Sequence, residues 1–287
     1  MKIGIIGLGL IGGSLAKAYK EVGATVLGYD SDNITLDYAQ IAGAIDEKLD
    51  DNNMKLCDLI LVAITPKKAI EWFREKSPLL SPNTVIIDCC GTKEFVCKEC
   101  FPVAKKYGLT FIGGHPMAGK EKGGFKNSSK DLFRNAPFIL VPETACDMEL
   151  LMRVKGMLML AGFGRVGITT GRNHDKVIAF TSQMPHIISN AFIKSETALT
   201  DSQMISAGSY QDFTRVAYLD EHMWSELFLE NKENLLYEIK GLVNKLKQYE
   251  EAIETGDRSE LESLLSEGKK AKLKVLEKCG PAQLNGE

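Results

Sequence analysis

The chain has 287 residues, and its 35 Lys and Arg residues nearly balance 38 Asp and Glu residues, which leaves a formal net charge of −3. This balance gives no strong field for nucleic acid or anionic lipid, and no apolar run approaches the roughly 20 residues of a membrane-spanning helix, so neither partner is predicted. Apolar residues make up 44% and charged residues 25%, which is typical of a globular protein with one large or two ordinary domains.

The first 170 residues alternate short apolar runs with helical segments. The runs of strand length cover residues 2–6, 25–29, 59–64, 84–88, 110–112 and 138–141, and helical segments between them cover residues 14–22, 67–75 and 93–106. Strands that alternate with helices are typical of a parallel sheet covered on both faces. Residues 1–170 are therefore predicted to form an α/β domain.

Helical periodicity takes over after residue 170. Residues 162–170 are predicted to form a last strand, and residues 173–194, 223–249 and 259–278 to form helices. In the second helix Leu235, Ile239, Leu242 and Leu246 recur every three or four residues, so they share one face. Residues 171–287 are therefore predicted to form an all-α domain.

A glycine-rich loop follows the first strand directly and leads into a helix. Its first glycine permits a tight turn, its second lets backbone approach a pyrophosphate, and its third lets the helix pack against the strand. The free amides at the helix N-terminus would face the phosphates. In this context a dinucleotide-binding loop of the Rossmann type is favoured over a glycine turn without a ligand. The six residues are Gly7, Leu8, Gly9, Leu10, Ile11 and Gly12.

An acidic residue at the end of the second predicted strand indicates which dinucleotide binds. Asp30 stands 18 residues after Gly12. Its carboxylate would accept a hydrogen bond from a ribose 2′-hydroxyl and repel a 2′-phosphate. The sequence therefore predicts NAD rather than NADP as the cofactor.

Two further loops follow strands at the carboxyl edge of the predicted sheet, where such sheets bind ligands. Thr65 and Pro66 directly follow the third run, residues 59–64, and are predicted to line the nicotinamide side of the cofactor site. The sequence from Asp88 to Lys93 ends the fourth run and enters a helix. A plain connecting loop is the alternative at both places, and position on the sheet favours function.

His115 lies in the segment GGHPMAGKE, residues 113–121, which follows the next predicted strand. The glycines and Pro116 predict a turn there. An imidazole can accept a proton near neutral pH, so His115 is the candidate catalytic residue, and a hydrogen-bonded loop histidine is the alternative.

The helical domain supplies a second group of polar residues. Ser182, His186 and Asn190 are spaced four residues apart and form a polar stripe, either a buried network or a substrate contact. Arg215 follows in the sequence DFTR, and arginine suits the bidentate binding of a carboxylate. His174, beside Asp175, is interpreted as structural and close to a helix cap.

Taken together, these motifs resemble those of the prephenate/arogenate dehydrogenase family over nearly the whole chain. The resemblance rests on GLGLIGGS at residues 7–14, Asp30, the segment 88–93, GHPMAG at 114–119, HD at 174–175, TSQMPH at 181–186 and DFTR at 212–215. It implies an NAD-dependent oxidative decarboxylation of prephenate, in which hydride leaves the carbinol carbon, carbon dioxide departs and the ring becomes aromatic. Arogenate, the amino analogue, is the alternative substrate.

The resemblance also implies roles for individual residues. His115 matches the catalytic histidine, Arg215 the arginine that binds a substrate carboxylate, His186 a histidine on the pyruvyl side, and Glu121 an acid at the pocket mouth. One position departs from the family pattern: Gly91 stands where many members have a serine. Thr92 or a water is expected to supply the missing hydroxyl.

The family likeness further implies a homodimer of interlocked helical domains, which agrees with the apolar stripe from Leu227 to Leu246. Seven cysteines at irregular spacing favour a reducing cytoplasm over a disulfide framework, and the lone C-x-x-C at Cys97 and Cys100 is not expected to bind metal. Two other functions stay open: a different NAD-dependent dehydrogenase, such as a 3-hydroxyacid dehydrogenase, and a sensor that only binds NAD.

Overall fold

The structure is a computed structural model that describes residues 1–143, 147–200 and 208–279. The chain forms two compact units, Met1–Leu235 and Leu236–Glu287. In the ranges that the structure describes, no helix combines the length and apolar character needed to cross a membrane.

Within the described residues of the first unit, eight strands form one sheet in the order β3-β2-β1-β4-β5-β6-β7-β8. All neighbouring strands run parallel except β6 and β7, which are antiparallel. The strands are β1 (Lys2–Ile6), β2 (Thr25–Tyr29), β3 (Glu47–Lys48), β4 (Leu59–Val62), β5 (Val85–Asp88), β6 (Thr110–Pro116), β7 (Pro137–Val141) and β8 (Arg165–Ile168).

Helices cover both faces of this sheet, and the described residues after β8 form no further strand. Those among the strands are α1 (Leu10–Glu21), α2 (Asn33–Ile41), α3 (Pro66–Lys76), α4 (Glu94–Tyr107) and α5 (Met148–Leu160). Those that follow β8 are α6 (Gly171–Ile178), α7 (Met184–Phe192), α8 (Glu196–Thr200), α9 (Gly208–Thr214), α10 (Glu221–Glu230), α11 (Lys232–Glu254) and α12 (Arg258–Cys279).

The core has two layers because successive strand residues point to opposite faces of the sheet. On one face Ile3 and Ile5 of β1 pack with Leu15 and Tyr19 of α1. On the other face Ile60 of β4 belongs to a cluster with residues of α3 and α4. The sheet is therefore buried on both sides, and its carboxyl edge is left for ligands.

The second unit contains most of α11, from Leu236 onward, and helix α12, joined by a turn at Gly256, whose φ of +66° favours glycine. Ala252 and Leu264 are buried, whereas Leu246 and Leu265 are more than half exposed. The predicted apolar stripe is therefore only partly covered within the chain.

The predicted fold class, a Rossmann-like α/β domain followed by helices, is confirmed. Strand β6 runs to Pro116, four residues beyond its predicted end, because it pairs with β7. Helices α2 and α5 were not predicted. The predicted helix over 173–194 is interrupted by a π-helical turn, Ala179–Gln183. This turn lies just before Pro185, which has no amide to donate to an α-helical hydrogen bond. The predicted domain boundary at residue 170 falls between the end of β8 and the start of α6 and stays a prediction.

Candidate active site

The glycine loop between β1 and α1 has the geometry of a phosphate cradle. Gly7 has a φ of +85°, and its amide donates to the Tyr29 carbonyl over 2.8 Å. A Cβ on Gly12 would lie 1.7 Å from the Gly7 carbonyl oxygen, so a side chain would break the turn. A Cβ on Gly9 would meet nothing within 4 Å, which leaves open space where a pyrophosphate would approach the backbone.

Asp30 is held against this loop at the end of β2. Its Oδ2 accepts the Leu8 amide at 2.7 Å, and its Oδ1 accepts the Asp32 amide at 2.9 Å. The carboxylate is thus fixed beside the dinucleotide cradle, where it suits a ribose hydroxyl. Thr65 is the N-cap residue of α3 and Pro66 its first residue, at the same edge of the sheet. The residues present therefore fit NAD.

His115 lies on strand β6 and not on a turn, which corrects the sequence prediction. It pairs with Ile139 of β7, so the two glycines before it are extended strand residues. The Gly114 amide donates to Asp88 Oδ1 at 3.1 Å, and a Cβ on Gly114 would lie 2.4 Å from the Asp88 carbonyl oxygen. The glycine lets β6 pack closely on the end of β5, which fixes the backbone of the next residue, His115.

A chain of three side chains runs inward from His115. Its Nδ1 lies 2.9 Å from His174 Nε2, and His174 Nδ1 lies 2.7 Å from Asp175 Oδ1. The Asp175 carboxylate also accepts the backbone amides of Lys93 and Glu94, each at 2.8 Å. Asp175 therefore caps the N-terminus of α4, whereas the cap of its own helix α6 is Thr170. The prediction of His174 as a residue near a helix cap missed its contact with His115.

The order of donors in this chain determines the tautomer of His115. An ionised Asp175 accepts a hydrogen bond from the Nδ1–H of His174, so His174 Nε2 carries a lone pair and accepts a hydrogen bond from the Nδ1–H of His115. His115 Nε2 then has a free lone pair and can accept a proton. Burial, assisted by the neighbouring His174 and Lys93, lowers the pKa of His115 well below its usual value, so the imidazole stays neutral.

A buried ion pair supports the same region. Lys93 Nζ donates to Asp88 Oδ2, and both side chains are almost completely buried. Burial opposes the positive charge, but the Asp88 carboxylate outweighs it and raises the pKa of Lys93. Because Asp88 also accepts the Gly114 amide, this pair ties β5 to the strand that carries His115.

Arg215 and Glu121 form an ion pair between Nη1 and Oε1, although 94 residues separate them in sequence. Glu121 belongs to the segment that follows β6, so this pair links Arg215 to the loop after His115. Both side chains are exposed. The hydrogen bond of the Glu121 carboxylate to its own backbone amide, followed by the Arg215 guanidinium, holds the pKa of Glu121 below its usual value. The structure thus brings together two residues that the sequence proposed separately.

His186 and Ser182 also meet, through backbone rather than side chain. His186 Nδ1 lies 2.7 Å from the Ser182 carbonyl oxygen, and its ring stacks on Trp224 with centroids 4.1 Å apart. Asn190, one turn later, donates to the Ala217 carbonyl at 3.0 Å. This bond ties helix α7 to the short turn that carries Arg215.

Thr92 is fully buried, and its hydroxyl donates to Glu230 Oε2. At Gly91, a Cβ would lie 3.1 Å from Leu227 Cδ2. Helix α10 therefore covers both residues of the loop after β5. Sequence reasoning gave no role to Glu230, and no local motif marks it. Among the described residues, no group of three or more His, Cys, Asp and Glu side chains is arranged to hold a metal ion.

Comparison with known proteins agrees with this geometry. The model of the prephenate dehydrogenase nucleotide-binding domain matches residues 15–166, and that of the prephenate dehydrogenase dimerization domain matches residues 170–267. The chain belongs to the prephenate dehydrogenase family. It is 30% identical over 277 residues to the prephenate dehydrogenase of Lactococcus lactis, which covers 94% of this chain and 76% of that protein.

Solved structures of two relatives extend the comparison. A prephenate dehydrogenase from Aquifex aeolicus, in complex with hydroxyphenyl propionate and NAD+, is 28% identical with a TM-score of 0.81 and covers 96% of this chain and 98% of that one. The arogenate dehydrogenase of Synechocystis is 26% identical with a TM-score of 0.79 and covers 96% of this chain and all of that one. The predictions of an oxidoreductase and of NAD as cofactor are confirmed.

Proposed function

We propose that this member of the prephenate dehydrogenase family converts prephenate to 4-hydroxyphenylpyruvate by NAD-dependent oxidative decarboxylation, a step of tyrosine biosynthesis. The observation that carries the proposal is the chain from Asp175 through His174 to His115, because it leaves His115 Nε2 as a proton acceptor. A sensor that only binds NAD would not need such an acceptor.

The atoms of the reaction balance with one base. His115 Nε2 takes the proton of the carbinol hydroxyl as the carbinol carbon becomes a carbonyl. Bound at the glycine loop, NAD+ would supply the acceptor for the hydride of that carbon. The ring carboxylate leaves as carbon dioxide, its electron pair enters the ring, and the dienone oxygen takes the proton back from His115 to give a phenol. Because aromatisation drives the reaction, the protein mainly positions the substrate and manages one proton.

Substrate binding is assigned to residues around His115. Arg215 binds a carboxylate of the substrate, and Glu121, its partner in the structure, orients the guanidinium. His186 contacts the side-chain keto acid, and Ser182 supports His186 through its carbonyl. Thr92 affects the site indirectly, because its hydroxyl already donates a hydrogen bond to the Glu230 carboxylate. The cofactor contacts are assigned to residues 7–12, Asp30, Thr65 and Pro66.

Arogenate is the second candidate substrate, since the similar Synechocystis protein is an arogenate dehydrogenase. It differs from prephenate only in having an amino group in place of the keto oxygen. His186 beside a keto acid favours prephenate. We further propose a homodimer formed through residues 171–287, which contain the family's dimerization domain, and a cytoplasmic location.

The test is a direct assay of both substrates. Purified protein is given prephenate or arogenate with NAD+ or NADP+, and reduced cofactor is followed with chromatography of the aromatic product. The expected result is prephenate turnover with NAD+ and formation of 4-hydroxyphenylpyruvate. Exclusive production of tyrosine from arogenate would move the assignment to the second candidate, and no turnover of either would overturn the proposal.

A further inference from the structure

The C-terminal end of α10 is joined to the loop after β5 by a hydrogen bond from Thr92 to Glu230. Thr92 is fully buried, and Leu227, one helical turn before Glu230, contacts the Gly91 backbone position. Lys93, next along the loop, donates its amide to Asp175. The Asp175 carboxylate that accepts the Lys93 amide also lies 2.7 Å from His174 Nδ1. Glu230 is therefore linked to His174 through Thr92, Lys93 and Asp175.

A second connection runs through the residue after Glu230. Asn231 Nδ2 donates to the Asp175 carbonyl and to Gln183 Oε1, each at 2.8 Å. The end of α10 therefore holds Asp175 by its backbone and, through Thr92, holds the loop whose amides bind the Asp175 carboxylate. Both routes reach the residue that orients His174 and, through it, His115.

The second carboxyl oxygen of Glu230 is not used in this network. Oε1 is buried and has no hydrogen-bond partner among the described residues. Burial raises the pKa of Glu230 to about 7, and repulsion by Glu226 and Asp175 adds to this, against the lowering effects of Thr92 and Lys67. Glu230 therefore changes its charge near neutral pH.

Charged groups face Glu230 from every neighbouring helix. Glu226 lies on its own helix, Lys67 on α3 and Asp175 on α6. A cavity of about 320 Å³ beside Glu230 is also lined by Glu94 of α4 and by Lys232 and Glu233 at the start of α11. Asp175 orients the chain that ends at His115, and Glu230 interacts electrostatically with Asp175. The negative charge of an ionised Glu230 therefore also favours a positive charge on His115 and increases its proton affinity.

We infer that Glu230 is a positioning residue for His115: it fixes the loop of residues 88–93 through Thr92, and its negative charge strengthens His115 as the proton acceptor. The inference rests on the proposed function, because it assumes that His115 accepts the substrate proton. Deprotonation of Glu230 as the pH rises through about 7 would then increase turnover.

The first experiment is the pH profile of kcat/KM for wild type and Glu230→Gln. Wild type is expected to rise three- to tenfold between pH 6 and pH 8, which corresponds to a pKa change of His115 of up to about one unit. For Glu230→Gln, kcat/KM is expected to stay across this range at the value that wild type has at low pH. Thr92→Val removes the donor that lowers the pKa of Glu230, so it moves the rise to higher pH.

Glu233→Gln is the matched control, because it removes the same charge from an exposed residue of the same cavity lining. Glu233→Gln is expected to show the same rise of kcat/KM with pH as wild type. A rise of wild-type size in Glu230→Gln, or the same loss in both variants, would overturn the inference.

A second readout needs no turnover and so separates failure of this inference from failure of the proposed function. With histidine labelled by ¹⁵N, the four histidines give few signals to assign. The ring nitrogens of His115 and His174 are expected to shift in a step near pH 7 in wild type and Glu233→Gln, and to lose this step in Glu230→Gln. A wild type without the step would refute the role of Glu230 whether or not prephenate is oxidised.

Discussion

The imidazole of His174 lies 2.7 Å from the carboxylate of Asp175, and that carboxylate also caps helix α4 through the amides of Lys93 and Glu94. The Asp175 side chain thus sets the tautomers of His174 and His115 and fixes the N-terminus of helix α4. A change at Asp175 is expected to affect catalysis and stability together.

Asp175→Asn tests this double role. The neutral amide no longer holds His174 firmly in its Nδ1–H tautomer and accepts fewer hydrogen bonds, so kcat is expected to fall at least tenfold and the free energy of unfolding by about 1–3 kcal/mol. Steady-state kinetics and urea unfolding measure the two effects. Asp147→Ala, at the N-cap of α5, is the control and is expected to lower stability alone. Unchanged kcat in Asp175→Asn would contradict the assigned role.

His115→Asn tests the proton acceptor itself. Because general-base catalysis contributes about 10²- to 10⁴-fold, kcat is expected to fall by at least a hundredfold while the affinity for NAD+ stays within twofold. Stopped-flow kinetics and a fluorescence titration with NAD+ measure these quantities. Equal losses in turnover and NAD+ affinity would remove His115 from the chemistry and leave it a structural residue.

The lowered pKa of His115 also predicts a dependence of stability on pH. Below about pH 6.5 the unfolded chain binds a proton at this histidine and the folded protein does not, so protonation favours unfolding. We subtract the free energy of unfolding of His115→Asn from that of wild type. This difference is expected to decrease by up to about 1.4 kcal/mol per pH unit as the pH falls below about 6.5. Urea unfolding at pH 5, 6 and 7 measures it. Using the difference cancels the contributions of groups that titrate independently of His115.

Arg215→Ala is expected to weaken substrate binding more than turnover. Loss of the guanidinium removes a bidentate partner of the substrate carboxylate, so KM is expected to rise at least tenfold. Arg134→Ala is the matched control, because Arg134 also forms an exposed ion pair, with Asp131. A rise in KM of less than threefold would show that Arg215 is a surface residue without contact to substrate.

Asp30→Ala is expected to relax the preference for NAD+. The carboxylate beside the glycine loop repels a 2′-phosphate, so its loss should lower the ratio of kcat/KM for NAD+ to that for NADP+ by at least tenfold. Asp37→Ala, an exposed residue of α2 paired with Lys48, is the control. An unchanged ratio in Asp30→Ala would count against a contact with the ribose.

The sequence by itself determined the domain types and the glycine-rich loop, and it supplied the candidates for the site residues, because these depend on local features. Glycines that permit a turn, an acid at a strand end and helical periodicity act within a few residues or at fixed spacing. For the same reason the GLGLIG loop and Asp30 were predicted in the places where the structure has them.

Only the tertiary structure decided how these residues combine. Strand β6 extends through His115 because β7 pairs with it, and no local pattern predicts that partner. His174 reaches His115, Asp175 caps a helix 81 residues away, and Glu230 binds Thr92 across 138 residues. Such contacts follow from helices packing on a sheet edge, so the sequence could indicate His115 as the proposed proton acceptor but not the groups that orient it.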